Sequence, residues 1–186
     1  MAGGTQNEIY GLDVKGDMID AVFGLNMERA IVKNMTIDPP VFNGISIEQK
    51  TGYGPELPSS TFVHIEGNTI VGAGSDGIRV SSFLGDDDAA HTQTVIIDHN
   101  LANYNGHDGI EVLNEVAGVG TVLTQSVQIT YNTANGNGSG GVIFVAPIAQ
   151  QLIDAEGGVG IAVENFASNG GTISQGVTVA GNTASF

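Results

Sequence analysis

No cysteine and no tryptophan occur in this chain, and only 5 lysine and arginine residues stand against 20 aspartate and glutamate residues. The missing cysteine excludes disulfides, thiolate-bound metals and cysteine nucleophiles together. Positive charge this scarce, at a net charge of −15, excludes a surface that tracks nucleic-acid phosphates. Long apolar runs are missing too. The longest uncharged stretch, 116–153, is broken by glycine and polar residues and has no membrane-span character. The N-terminal residues show neither a basic segment nor an apolar one, so no signal peptide is visible. There is no phosphate-binding glycine loop with lysine, no Gly-x-Ser-x-Gly elbow and no His-Glu-x-x-His. What the chain does have is 41% apolar content, enough for a core, and 28 glycines, about twice ordinary usage.

The glycines recur with a period. Asn68 precedes Gly77-Ile78-Arg79-Val80, Asn100 precedes Gly109-Ile110-Glu111-Val112, and Asn132 precedes Gly141-Val142-Ile143-Phe144, each Asn nine positions before its Gly. Weaker copies carry Gly44 and Gly176, with Ala21 in the same column, so the steps are 23, 33, 32, 32 and 35 residues. Such periods mark a solenoid. Short alternations such as Val63-x-Ile65, Val95-x-Ile97 and Val127-x-Ile129 are strand patterns. Strands this short fold only when stacked coil on coil, because each alone exposes unpaired backbone. The expected fold is all-β: a single-stranded parallel β-helix of about six coils, one domain over 1–186. Segments 49–60, 82–93, 114–125 and 146–158 are expected to be loops inserted on one side. Asn34, Asn68, Asn100, Asn132 and Asn165 are expected to form an amide ladder at one corner. The glycine column is expected to supply positive φ at the next corner.

With its Asn-Gly-x-Asp-Gly turn, this repeat resembles the right-handed parallel β-helix of pectate lyases, alginate lyases and mannuronan C5-epimerases. The resemblance runs from about Ile9 to Val179, and Tyr104-Asn-Gly-His-Asp-Gly109 is similar to the middle coils of the epimerase module. It implies a carbohydrate-associated protein that binds an acidic polysaccharide such as a polyuronate and epimerises or cleaves it. The epimerase signature, Tyr-Gly-Phe-Asp-Pro-His-Glu, is not retained: Asn43 stands for the Tyr, Ser46 for the Asp and Glu48 for the His. No catalytic residue carries over.

Candidates come instead from the outer face of the strand after the glycine column. There Asp76, Arg79, His107 and Glu111 bring acid, base and cation together as catalytic candidates, with Ser46, Glu48 and Asp108 as substrate-binding ones. Adjacent coils stack at roughly 4.8 Å, so neighbours in a column touch. In proton abstraction next to a uronate carboxylate, His107 would be the base, since it titrates near neutral pH. Arg79 or calcium would neutralise the carboxylate. Asp86, Asp87 and Asp88 are the candidate calcium ligands. The same residues also have a structural reading, with Arg79 and Glu111 as a cross-strand ion pair and Asp76 and Asp108 as turn formers.

The alternative to an enzyme is a non-catalytic structural, surface or assembly solenoid. The sequence stops soon after a strand, without a capping helix, so a module of a longer protein or a homo-oligomer joined through the uncapped end is expected. Expected partners are polysaccharide, with no nucleic acid and no membrane insertion. A secreted or cell-surface setting is favoured over the cytoplasm.

Overall fold

Valine and isoleucine at every second position of a short strand are buried only when that strand has neighbours on both sides, and stacking supplies them. The computed structural model describes residues 6–15, 20–38, 40, 42–52, 56–138, 143–145 and 159–185. Among them the strands are β1 (Gln6–Tyr10), β2 (Asp13–Lys15), β3 (Val22–Leu25), β4 (Arg29–Lys33), β5 (Thr36–Asp38), β6 (Ile45–Lys50), β7 (Ser60–Glu66) and β8 (Thr69–Val71). They continue as β9 (Ile78–Leu84), β10 (Ala90–Asp98), β11 (Leu101–Asn103), β12 (Ile110–Val116), β13 (Val122–Thr130), β14 (Ile143–Val145), β15 (Ile161–Ala167) and β16 (Thr172–Ala180). Three sheets result, with orders β1-β4-β7-β10-β13-β16, β11-β8-β5-β2 and β14-β15-β12-β9-β6-β3. Every pairing is parallel. The chain visits the sheets in rotation, and the six strands of the first sheet count six coils. Thr133 and Thr183 continue the short second sheet as isolated bridges. The fold is therefore a parallel β-helix, as expected. No helix among the described residues is long and apolar enough to cross a membrane.

The core is a set of columns. Ile45, Ile78, Ile110 and Ile161 stack at 0% exposure, beside Ile47, Val80, Val112 and Val163. This corrects the last coils of the expected repeat. The neighbour of Glu111 in the third sheet is not Ile143 but Ala162, and the Gly109 N–H donates to the Val159 carbonyl rather than to the expected copy. β14 pairs on the far side of β15, out of chain order. Gly140, Gly141 and Val142, and the expected insertion 146–158, lie outside the described residues. Gly176 leaves the glycine column altogether and pairs with Ser126 in the first sheet.

The column glycines at 44, 77 and 109 are required by close approach, not by positive φ. A Cβ on Gly77 would come within 2.6 Å of Asn105 Nδ2 and 2.7 Å of the Gly109 carbonyl. The left-handed corner lies elsewhere, at Gly11, Asn34, Gly67, His99, Tyr131 and Gly181.

The expected loops 82–93 and 114–125 are mostly strand. β9 runs to Leu84, β10 starts at Ala90, and only 85–89 turns between them. Their side chains explain the extension. Ser82 donates to Gln93, Asn114 and Gln125 bond reciprocally, and Asn165 donates to Gln175. Beyond this polar layer, Leu84, Val116, Leu123 and Ile173 close a second small core. The expected amide ladder exists with altered membership. Asn68 Nδ2 donates to Asn100, Asn100 to Asn132 and Asn132 to Asn182, each at 2.9–3.0 Å. Met35 takes the next place in that column, through its N–H on Asn68 Oδ1, while Asn165 belongs to the polar layer instead.

Candidate functional site

Register decides which outward side chains meet. Phe23, Ser46, Arg79, Glu111 and Ala162 form one row across the third sheet, and Leu25, Glu48, Ser81, Leu113 and Glu164 form the next. Asp76 and Asp108 sit just before Gly77 and Gly109, so the turns of the third and fourth coils each deliver a carboxylate beside the first row. Asp76 is 1% exposed. Its Oδ1 accepts from the Asp108 N–H and lies 3.0 Å from His107 Nδ1. His107 Nδ1 is also 3.3 Å from Asp108 Oδ2. Asp108 Oδ1 accepts from the Val159 N–H at 2.5 Å.

Arg79 Nη1 stands 3.9 Å from Asp76 Oδ2, and Arg79 Nε 3.0 Å from Glu111 Oε2. The second contact is an ion pair off the line of the N–H, so both atoms are buried without a hydrogen bond. Ser46 Oγ and Ser81 Oγ, on adjacent rows of the same face, are likewise buried with no partner. The structure thus gathers Asp76, Arg79, His107, Asp108 and Glu111, with Ser46 next in the row. Glu48 lies one row over, level with Ser81.

Burial sets the protonation of this group. Desolvation pushes Glu111 from an ordinary 4.5 up to about 8, against the opposing pull of Arg79. Desolvation also raises Asp108, to about 6. His107 moves up to about 9, chiefly through its hydrogen bond to Asp76. At neutral pH the site therefore holds an imidazolium, a guanidinium and a neutral Glu111. The expectation that His107 is a base near pH 7 is corrected by that bond, which keeps it protonated. Glu164, absent from the sequence candidates, adds a negative charge that lifts both Asp108 and Glu111.

Asp86, Asp87 and Asp88 lie on the exposed turn after β9, about 23 Å along the strand from Arg79 at ~3.3 Å per residue. Asp87 Oδ1 accepts from the Val119 N–H, and the Asp86 carbonyl accepts from the Thr121 hydroxyl. Their side-chain oxygens do not converge. Among the described residues, ligand-type atoms converge at Asp76, His107 and Asp108 and at a second place, His64, Glu66 and Asp98. The sequence reading missed the second place, although His64 and Glu66 share a strand face and Glu66 is in register with Asp98. Lys33 already pairs with Glu66 there. A cavity of about 390 Å³ opens on the third sheet between the site and the aspartate turn, with Lys50, Phe83, Asp86 and Glu115 in its wall. His91 is buried and structural: its ring meets the Thr61 hydroxyl and the Pro58 carbonyl, and burial lowers its pKa.

The family model described as right handed beta helix region matches residues 5–184. No curated protein and no solved structure is significantly similar to the chain.

Proposed function

The chain belongs to the right-handed β-helix family, a fold of carbohydrate-associated and structural proteins, and on that premise we propose that its third sheet carries an acid–base site for an acidic polysaccharide. One observation carries the reading. Ser46 Oγ and Ser81 Oγ are buried without a partner on one face, beside the Arg79–Glu111 ion pair, whose Nε and Oε2 are buried off hydrogen-bond geometry. Buried polar atoms left unpaired cost free energy, so their clustering beside a His–Asp pair marks a place prepared for ligand hydroxyl and carboxylate groups. The cavity toward Phe83 extends that face about 13 Å further at ~3.3 Å per residue, as a polymer requires.

In this proposal Arg79 holds the uronate carboxylate and offsets the enolate-like charge that develops on it. Glu111, as carboxylate, takes the proton from C5. In elimination the C4–O bond breaks, a C4=C5 bond forms, and His107 gives its proton to the departing glycosidic oxygen. In epimerisation His107 returns a proton to C5 from the opposite face. The base must be ionised and the acid protonated, so the rate peaks between about pH 8 and 9. Calcium enters as a bridging counter-ion, because a −15 protein repels a polyanion.

The test is absorbance of the unsaturated product, and solvent-hydrogen exchange at C5, on polygalacturonate and alginate with and without calcium. Arg79→Ala and Glu111→Gln are expected to lose at least about 100-fold in kcat/KM, and His107→Gln to lose the alkaline limb of the pH profile. Absence of both signals on both substrates, with or without calcium, overturns the reading. A structural reading has one observation of its own: the outer edge of β16, nine residues long, pairs with nothing among the described residues. It is favoured over the enzyme if inactivity is accompanied by concentration-dependent dimerisation in sedimentation.

A further inference from the structure

Three bulky residues hold left-handed backbone at the edges of the second sheet: His99 at φ 55°, Tyr104 at 57° and Tyr131 at 56°. Neighbouring coils place glycine at the equivalent corners, Gly67 and Gly181 in one column and Gly72 and Gly136 in the other. Glycine takes this conformation without strain, whereas an aromatic residue does not. Burial does not offset the strain, since Tyr104 is 69% and Tyr131 62% exposed. Each ring nevertheless has a seat. A Cβ on Gly136 would lie 2.6 Å from the Tyr104 ring, and one on Gly181 2.6 Å from the Tyr131 ring. The next coil thus keeps glycine where each ring rests. His99 stacks on Tyr131 with centroids 5.2 Å apart.

Between the two aromatic corners runs the outer face of the second sheet. In the fourth and fifth coils it presents Leu101, Asn103, Thr133 and Asn135, none of them charged. The Asn135 N–H donates to Asn103 Oδ1 at 2.8 Å, and the Ser185 hydroxyl to Asn135 Oδ1 at 2.9 Å. Both amides are therefore held by their oxygens, and their NH2 groups have no partner among the described residues. The span from residue 99 to residue 104 is about 16 Å at ~3.3 Å per residue, room for several sugar rings.

We propose that this face binds an uncharged polysaccharide, the Tyr104 ring stacking on the apolar face of a sugar ring, the exposed edge of the Tyr131 ring, held between His99 and Gly181, packing against the next sugar, and the amides of Asn103 and Asn135 donating to hydroxyls. The chemistry selects that class. Aromatic residues with a polar tip suit a ligand apolar on one side and hydrated on the other. The strip carries no charge with which to hold a polyanion. This proposal is independent of the third-sheet site and uses none of its residues.

The test is affinity electrophoresis in gels cast with dextran, galactomannan, xylan or hydroxyethyl cellulose, followed by titration of tyrosine fluorescence. With no tryptophan in the chain, the emission comes from 4 tyrosines, of which Tyr104 and Tyr131 lie on this face, and the change on binding is read against the double variant that lacks those two. Retardation by at least one polymer is expected, unchanged by added sodium chloride. The double variant Tyr104→Gly, Tyr131→Gly is expected to lose at least about tenfold in affinity. Its thermal midpoint should hold or rise, because glycine relieves the left-handed corners. Tyr104→Phe and Tyr131→Phe keep the stacking surface and should stay within about threefold. Binding to none of the four polymers overturns the proposal. So does full affinity in the glycine double variant, or loss of binding in Arg79→Ala.

Discussion

At the scale of single residues, the third-sheet site couples protonation to stability. Folded Glu111 keeps its proton up to about pH 8, whereas the unfolded chain releases it near the ordinary 4.5. Between those values the folded state binds more protons, so stability falls as pH rises. His107 acts in the same direction over a higher window, from its ordinary 6.5 to about 9. The thermal midpoint is therefore expected to drop from roughly pH 5 to pH 9, by about 5 °C or more for a chain of this size. In Glu111→Gln the drop should shrink to a small step that Asp108 completes by about pH 6 and a second, above roughly pH 6.5, from His107. A flat midpoint in the wild-type protein across this range, followed by scanning calorimetry, would show that neither Glu111, through burial, nor His107, through its bond to Asp76, is shifted in the fold. None of this was legible beforehand. The row containing Arg79 and Glu111 follows from period and alternation alone, and so do the carboxylates before the glycines. Protonation depends on how completely Asp108 and Glu111 are dehydrated, and a sequence does not state that.

At the scale of elements, the asparagine column shows what a repeat reveals and what it hides. Asn68, Asn100 and Asn132 were identifiable because each stands nine residues before a glycine. Asn34 and Asn165 share the residue type but not the place, since Asn34 is a left-handed corner residue and Asn165 bonds across the polar layer to Gln175. The two roles predict opposite responses. Asn100 Oδ1 accepts from the Asn68 backbone and side chain, and its Nδ2 donates to Ile65, Asp98 and Asn132. Asn100→Ala orphans these buried partners and is expected to cost about 3 kcal/mol in urea unfolding. Asn34→Gly should cost nothing, or stabilise by a few tenths of a kcal/mol, because glycine prefers the φ that Asn34 adopts. Comparable losses in the two variants would return Asn34 to the ladder. The extended strands were hidden for a related reason. Gln93 and Gln125 read as polar loop residues, yet in register the Gln125 amide donates to the Gln93 side-chain carbonyl inside the fold.

At the scale of the whole molecule, the order of the coils rests on which glycines lie in one column, and the sequence carries two competing signals for it. Gly160-Ile161-Ala162-Val163 repeats the Gly-Ile-x-Val pattern of Gly77 and Gly109 more closely than Gly141-Val142-Ile143-Phe144 does. A constant step of 32 residues favoured Gly141, and the step from Gly109 to Gly160 is 51. Period alone cannot locate a coil whose turn has lengthened; close packing can. A Cβ on Gly109 would meet the Gly160 carbonyl and Asn137 Nδ2 at 2.5 Å, and one on Gly160 would meet Ala184 Cβ at 2.5 Å and the Ala134 carbonyl at 2.8 Å. Gly176, placed in the same column by the repeat, has nothing within 4 Å of the equivalent position. Backbone carbonyls of stacked coils cannot retreat without breaking the ladders on either side. Gly109→Ala and Gly160→Ala are therefore each expected to cost more than about 4 kcal/mol, or to prevent folding. Gly176→Ala replaces a strand glycine in open space and should stabilise by roughly 0.5 kcal/mol. Denaturant midpoints of the three variants decide the register, because a column running through Gly176 instead of Gly160 would exchange the behaviour of those two positions.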